Sequence, residues 1–91
     1  MLSTISITVE GKVQGVFFRQ SVKDHAIHLG VTGIVENKTN GSVYIEATGN
    51  EEQLNLLLAW CRKGPPRAKV TSVYTQALST KSFTGFNILR H

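Results

Sequence analysis

The feature that most constrains the fold of this chain is the order in which two hydrophobic periodicities follow one another. Near the N-terminus, Ile5, Ile7 and Val9 alternate with polar residues, which predicts a strand with one buried face. A helical spacing comes next, and Gly30 stands where a glycine commonly ends a helix. The apolar stripe of that helix is predicted to consist of Phe18, Val22, Ala26 and Leu29.

The middle of the chain predicts a hairpin and a second helix. The segment "VTGIVENKTNGSVYIEATG" (residues 31–49) contains two strands joined at Asn40-Gly41, a strong hairpin signal. Asn50 and Gln53 have the spacing of a capping box, which marks the start of a helix. The predicted apolar face of this helix is Leu54, Leu57, Leu58 and Cys61, and "GPP" at 64–66 ends it.

Two more strands complete the pattern, "AKVTSVYTQAL" (68–78) and the shorter "FNIL" (86–89). The order is therefore β-α-β-β-α-β with a short C-terminal strand. It predicts an α+β fold, the ferredoxin-like split βαβ sandwich, with two helices packed on one face of a mostly antiparallel sheet. We expect one domain over residues 1–91, complete at that length, because a chain of this size supplies one hydrophobic core.

Charge and cysteine content narrow the classes of function. Ten Lys and Arg against six Asp and Glu give a net charge of +4, which favours anionic partners, either nucleic acid or a small phosphate. The lone Cys61 excludes an intrachain disulfide and a cysteine zinc cluster. No signal peptide or membrane-spanning stretch is present, so we expect a cytoplasmic protein.

The loop after the first strand, within "GKVQGVFFRQSVKDH" (11–25), has the composition of an anion site. The start of a helix presents unpaired N–H groups and a positive dipole end. Arg19 could add a planar fork for phosphate oxygens. The amides that could form a concave nest are those of Gln14, Gly15, Val16, Phe17 and Phe18. The spacing alone fits equally well a tight turn followed by a solvated arginine.

Asn37 is the second candidate. It has the same parity as Val31, Gly33 and Val35, so it continues a predicted apolar face toward the end of its strand. The alternative is that Asn37 only begins the hairpin turn, where asparagine is common. The local sequence favours that alternative.

A resemblance favours the phosphate site. "VEGKVQGVFFR", "GIVENKTNGSV" and "GPPRAKV" closely resemble the acylphosphatase family, and the similarity extends through "FNIL". It implies an enzyme, an acylphosphatase, that hydrolyses the mixed anhydride of a carboxylic acid and phosphate. Arg19 and the amides of residues 14–18 would bind the phosphate, and Asn37 would orient the attacking water. The family needs no metal, cofactor or covalent phospho-enzyme, so we expect a small acyl phosphate as substrate, inorganic phosphate as product and a monomer.

Two positions depart from the family pattern. Ile34 stands where an aromatic residue is common, which predicts looser packing beside the site. Asn40 stands where Asp is common, and Asn-Gly serves the same turn.

The alternatives from other classes are a non-catalytic anion-binding module and a nucleic-acid-binding module. The second needs exposed aromatic residues on the central strands. Strand one is expected to expose only Ser6, Thr8 and Glu10, so no nucleic-acid partner is predicted. His25 and His28 are predicted to be surface residues and not metal ligands.

Overall fold

The computed structural model describes residues 1–90 and contains seven regular elements. These are β1 (Ser3–Lys12), α1 (Phe18–Leu29), β2 (Thr32–Asn37), β3 (Val43–Gly49), α2 (Glu51–Lys63), β4 (Lys69–Leu78) and β5 (Phe86–Leu89). The predicted order of elements is confirmed, including the short last strand.

The strands form one sheet in the order β4-β1-β3-β2-β5. Three neighbouring pairs are antiparallel, and only β2 and β5 are parallel. Because β3 lies between β1 and β2 and is antiparallel to both, β1 and β2 run in the same direction. This is the predicted split βαβ arrangement.

The hydrophobic core lies between the sheet and the two helices. Ile7 and Val9 of β1 and Val35 of β2 are fully buried, so the helix-facing side of each strand is the apolar side that alternation predicted. The helices contribute Phe18, Val22, Ala26, Leu54, Leu57 and Cys61. Leu29 and Leu58 pack at the edge of this core and are only partly buried.

Both helices begin and end where the sequence predicted. Asn50 and Gln53 form a complete capping box, each side chain accepting a hydrogen bond of 2.8 Å from the backbone N–H of the other residue. Gly30 adopts the left-handed conformation and donates its N–H to the last turn of α1. Burial raises the pKa of the Cys61 thiol to about 12, so this thiol stays protonated at neutral pH.

The connection between β4 and β5 crosses the face of the sheet that carries no helix. The two strands are at opposite edges, and the segment 79–85, here called the strap, spans them. The Lys81 N–H donates to the Thr4 hydroxyl at 2.8 Å, and the Thr48 hydroxyl donates to the Lys81 carbonyl at 2.9 Å. The Gly33 N–H donates to the Gly85 carbonyl at 2.9 Å, which brings β5 beside β2. The strap therefore fixes the position of the C-terminal strand.

The helix-free face is less exposed than the alternation predicted. Ser6 was expected to be exposed, but it is only 6% exposed because hydrogen-bonded side chains cover this face. Tyr44 is hydrogen bonded to Ser6 and donates its hydroxyl to Glu46 at 2.7 Å. The prediction that Ser6 is exposed is wrong.

Within the part of the chain described, no helix is long and apolar enough to cross a membrane.

Glu46 should make the stability of the fold depend on acid pH. Hydrogen bonds from Lys81 and Tyr44 lower the pKa of this carboxyl below its ordinary value of 4.5. The stabilisation is fully present above that ordinary value and is lost as the pH falls through the lowered pKa. We expect Glu46→Gln to have a lower free energy of unfolding than the wild type at pH 7, with the difference narrowing toward pH 3. Urea unfolding at the two pH values measures this, and a difference that stays constant would contradict it.

Candidate active site

Three strand ends form one cleft at an edge of the sheet. β1, β2 and β5 run in the same direction, so their carboxyl ends meet at this edge. The loop after β1, the last residue of β2 and the residues at the end of β5 line a cleft of about 460 Å³. Its lining residues are Val13, Gly15, Phe17, Phe18, Arg19, Gln20, Asn37, Ile88 and Arg90.

Three buried side chains anchor the loop between β1 and α1 in the core. Val13, Val16 and Phe18 are at most 5% exposed and pack into the core. Gly15 and Phe17 lie between them with positive φ angles of 73° and 62°. A Cβ at Gly15 would meet no atom within 4 Å, so glycine is needed here for its backbone conformation and not for space. The loop is therefore anchored in the core by the three buried side chains, and Gly15 and Phe17 line the cleft.

The N-terminus of α1 has no capping group of its own. The N-cap residue Phe17 makes no side-chain cap hydrogen bond, and the first turn contains no acidic residue. In α2, by contrast, Asn50 caps the first turn, which also carries Glu51 and Glu52. The positive end of the α1 dipole is left without a local anion, and it lies at the cleft.

Gln14 ties the loop to the end of β2. Its side-chain Nε2 donates to the carbonyl oxygens of Lys38 and Ser42, at 2.8 and 3.0 Å. These two carbonyls belong to the turn that follows Asn37. The Gln14 side chain therefore connects the loop after β1 to the turn after β2, which are the two segments that the sequence predicts to form the site.

Arg19 lies in the first turn of α1 and is half-buried. Among residues 1–90 no carboxylate lies within ion-pair distance of its guanidinium. None of the described residues that line the cleft is acidic, and Arg90 adds a second cation. The electrostatic potential of the cleft is therefore positive, which suits an anionic ligand.

Asn37 is the last residue of β2 and not part of the turn. It continues the side of the strand that buries Val35, as its parity predicted. Its Oδ1 atom is buried and has no hydrogen-bond partner among the described residues. A buried acceptor without a donor costs free energy, so this oxygen is suited to receive a hydrogen bond from a bound molecule.

The turn after Asn37 is closed by Asn40, one of the two departures from the family pattern. The Asn40 Oδ1 accepts hydrogen bonds from the Ser42 backbone N–H and hydroxyl, at 3.0 and 2.7 Å. The predicted hairpin at Asn40-Gly41 is confirmed. Ile34, the other departure, points to the helix-free face, since it neighbours the buried Val35 along the strand. It does not lie beside the cleft, so the predicted looser packing there is not found.

No group of three or more potential metal-ligating His, Cys, Asp or Glu side chains exists among residues 1–90. His25 is exposed and stacks on Trp60, with ring centroids 4.4 Å apart. It lies outside the cleft.

Two contributors to the cleft were not predicted. Arg90 reaches it because β5 lies parallel to β2, a pairing that no local signal in the sequence indicates. Phe17 is an exposed aromatic residue of the cleft lining, whereas the sequence predicts a role for its backbone amide alone. Its positive φ angle is difficult to predict for a residue other than glycine.

Comparison with known proteins agrees with the fold and shows the family. The family model for acylphosphatase matches residues 5–88. The chain belongs to the acylphosphatase family. An acylphosphatase from Methylococcus capsulatus is 42% identical over 90 residues, which cover 98% of each chain.

Solved acylphosphatase structures show the same fold. The structure from Coxiella burnetii superposes with a TM-score of 0.93 at 38% identity, covering 97% of this chain and 93% of that one. The structure from Bacillus subtilis gives a TM-score of 0.93 at 34% identity, covering 99% and 100%. This similarity over nearly the whole length confirms the predicted family, fold and enzyme class, acylphosphatase.

Gln14→Ala should loosen the cleft without unfolding the protein. It removes two hydrogen bonds, each worth about 0.5–1.5 kcal/mol, so we expect stability to fall by about 1–3 kcal/mol and inorganic phosphate to bind more weakly. Urea unfolding and phosphate titration measure both effects. The matched control is Gln76→Ala on the exposed edge strand β4. Equal effects of the two substitutions would contradict the bridging role of Gln14.

Proposed function

We propose that this protein hydrolyses small acyl phosphates to carboxylate and inorganic phosphate, with Arg19 and the loop amides binding the phosphate and Asn37 orienting the attacking water. One observation carries the proposal. Arg19 and Asn37 line the same cleft, the Oδ1 of Asn37 is buried without a partner among residues 1–90, and no described lining residue carries a carboxylate.

The phosphate group binds at the loop and the start of α1. The backbone amides of Gln14, Gly15, Val16, Phe17 and Phe18 surround it, and the uncapped helix start supplies a positive dipole end. Arg19 donates to two phosphate oxygens from its planar fork. These donors are fixed before the substrate arrives, so charge developing on the phosphate oxygens is stabilised without rearrangement of the protein.

Asn37 orients the attacking water. Its Oδ1 accepts a hydrogen bond from the water, which directs a lone pair of the water oxygen toward phosphorus. The new bond forms between that oxygen and phosphorus, and the bond from phosphorus to the acyl oxygen breaks. The carboxylate leaves with the electron pair. An amide cannot take up a proton at neutral pH, so the proton released by the water passes to a phosphate oxygen of the substrate.

No described residue that lines the cleft is a nucleophile, and this chemistry does not require one. Among residues 1–90 the lining includes no Ser, Cys or His, and Cys61 is buried in α2. A carboxylate is a good leaving group, so positioning and charge stabilisation provide most of the catalysis. Neither a metal nor a cofactor enters the proposed reaction.

The remaining expectations belong to the same proposal. The protein acts as a monomeric single domain over residues 1–91, in the cytoplasm and without a nucleic-acid partner. A lone reduced cysteine suits a reducing compartment. The molar mass measured by light scattering during gel filtration tests whether the protein is a monomer.

Hydrolysis of benzoyl phosphate tests the assigned roles. With EDTA present, we expect the wild type to retain its turnover. Arg19→Ala should lower kcat by about 100-fold to 1,000-fold, the usual cost of losing one charge-stabilising donor, and should weaken inhibition by inorganic phosphate. Asn37→Ala should lower kcat by about 100-fold while inhibition by phosphate stays near the wild-type value.

Two exposed residues of α2 provide matched controls. Arg62→Ala and Asn55→Ala remove the same side chains far from the cleft and should leave turnover unchanged. Wild-type turnover no faster than the spontaneous reaction would refute the proposed function. Unchanged turnover in Asn37→Ala would refute the role of that residue alone.

A further inference from the structure

Phe17 is an exposed aromatic residue that lines the cleft. It is 75% exposed, whereas Val16 before it and Phe18 after it are 5% and 2% exposed. This exposed residue is therefore part of the site and not of an unrelated surface. Scattered exposed apolar residues are ordinary, but an exposed aromatic ring in a binding cleft offers contact area to a ligand.

The backbone of Phe17 adopts an unfavourable conformation. Phe17 is the one non-glycine residue among residues 1–90 with a positive φ angle. Bulky side chains rarely adopt the left-handed conformation, and residues that do so are concentrated at functional sites. Glycine or asparagine would make this turn with less strain. The turn itself therefore does not explain the aromatic ring.

The acyl group must lie on the opposite side of the phosphate from the attacking water. In a phosphoryl transfer the attacking and leaving oxygens lie roughly in line, so the acyl group must point away from the water held by Asn37. Asn37 and Arg19 also line a second, adjoining depression with Lys38 and Thr39, whereas Phe17 lines only the main cleft. The main cleft has a volume of about 460 Å³, which leaves room beside a phosphate for more of the substrate, and apolar Ile88 also lines it.

We propose that the Phe17 ring forms the wall of an acyl-binding subsite, which selects acyl phosphates with a flat, apolar acyl group over those with a small one. This inference rests on the proposed function, because it assigns the leaving group of the same reaction. The phosphate is held by the backbone amide of Phe17, and the acyl group is held by its side chain.

The ratio of kcat/KM for benzoyl phosphate to that for acetyl phosphate measures this selectivity. We expect Phe17→Ala to lower the ratio about tenfold, chiefly through a higher KM for benzoyl phosphate, because the lost contact is to the acyl group alone. Any disturbance of the phosphate loop affects both substrates and cancels in the ratio. Phe17→Asn, which adopts the left-handed conformation more readily, should lower the ratio similarly even if Phe17→Ala folds poorly. The control is Leu56→Ala, which removes an exposed apolar side chain from α2 and should leave the ratio unchanged.

The outcomes separate this inference from the function on which it rests. If the wild type hydrolyses both substrates and both Phe17 variants keep the ratio within about twofold of the wild-type value, the acyl subsite is wrong and the proposed function stands. If the wild type hydrolyses neither substrate, the proposed function is wrong and the subsite with it. A selective loss of benzoyl phosphate hydrolysis in both variants supports the subsite.

Discussion

The site depends on one topological constraint, the common direction of β1, β2 and β5. Since β3 separates β1 from β2 and is antiparallel to both, the carboxyl ends of β1 and β2 face the same edge of the sheet. The parallel pairing of β5 with β2 brings the C-terminal strand to that edge as well. Residues far apart in sequence, in the loop before α1, at Asn37 and at Arg90, therefore line one cleft.

The distribution of charge around the cleft follows from the same arrangement of strands. The acidic side chains of the central strands lie on the helix-free face, where Glu46 pairs with Lys81 at 2.7 Å and Glu36 pairs with Lys38. Glu51 and Glu52 lie at the start of α2, where they suit the dipole of that helix. The start of α1 has neither a cap nor an acidic residue in its first turn. The acidic side chains of the described residues thus lie away from the cleft, and an anionic ligand can satisfy the free helix terminus.

The sequence predicts the elements of this fold because their signals are local. Alternation, helical spacing, the capping box at Asn50 and the turn at Asn40-Gly41 each depend on residues close together in the chain, and each is confirmed. The parity of Asn37 predicted which face it joins, although the local sequence favoured a turn. The choice of Arg19 and Asn37 as a functional pair came from the resemblance to the acylphosphatase family, because spacing alone left the loop ambiguous.

The features missed by sequence reasoning depend on contacts between distant segments. The strap buries part of a face that alternation predicted to be exposed, and it determines that Arg90 reaches the cleft. The hydrogen bonds from Gln14 to the turn after β2 join Gln14 to two residues that lie 24 and 28 positions further along the chain. Phe17 adopts the left-handed conformation between two buried residues, against the preference of a bulky side chain.

The proposed catalysis requires that the loop and the uncapped start of α1 hold the phosphate group. Titration of the ¹⁵N-labelled protein with inorganic phosphate, followed by backbone amide chemical shifts, measures this binding. We expect saturable shifts concentrated at the amides of residues 14–18, with the Arg19 side-chain Nε resonance moving along the same curve. The capped start of α2 at Glu51–Gln53 provides an internal control that should not shift. Saturable shifts confined to another surface, with the loop unaffected, would show that the phosphate binds elsewhere.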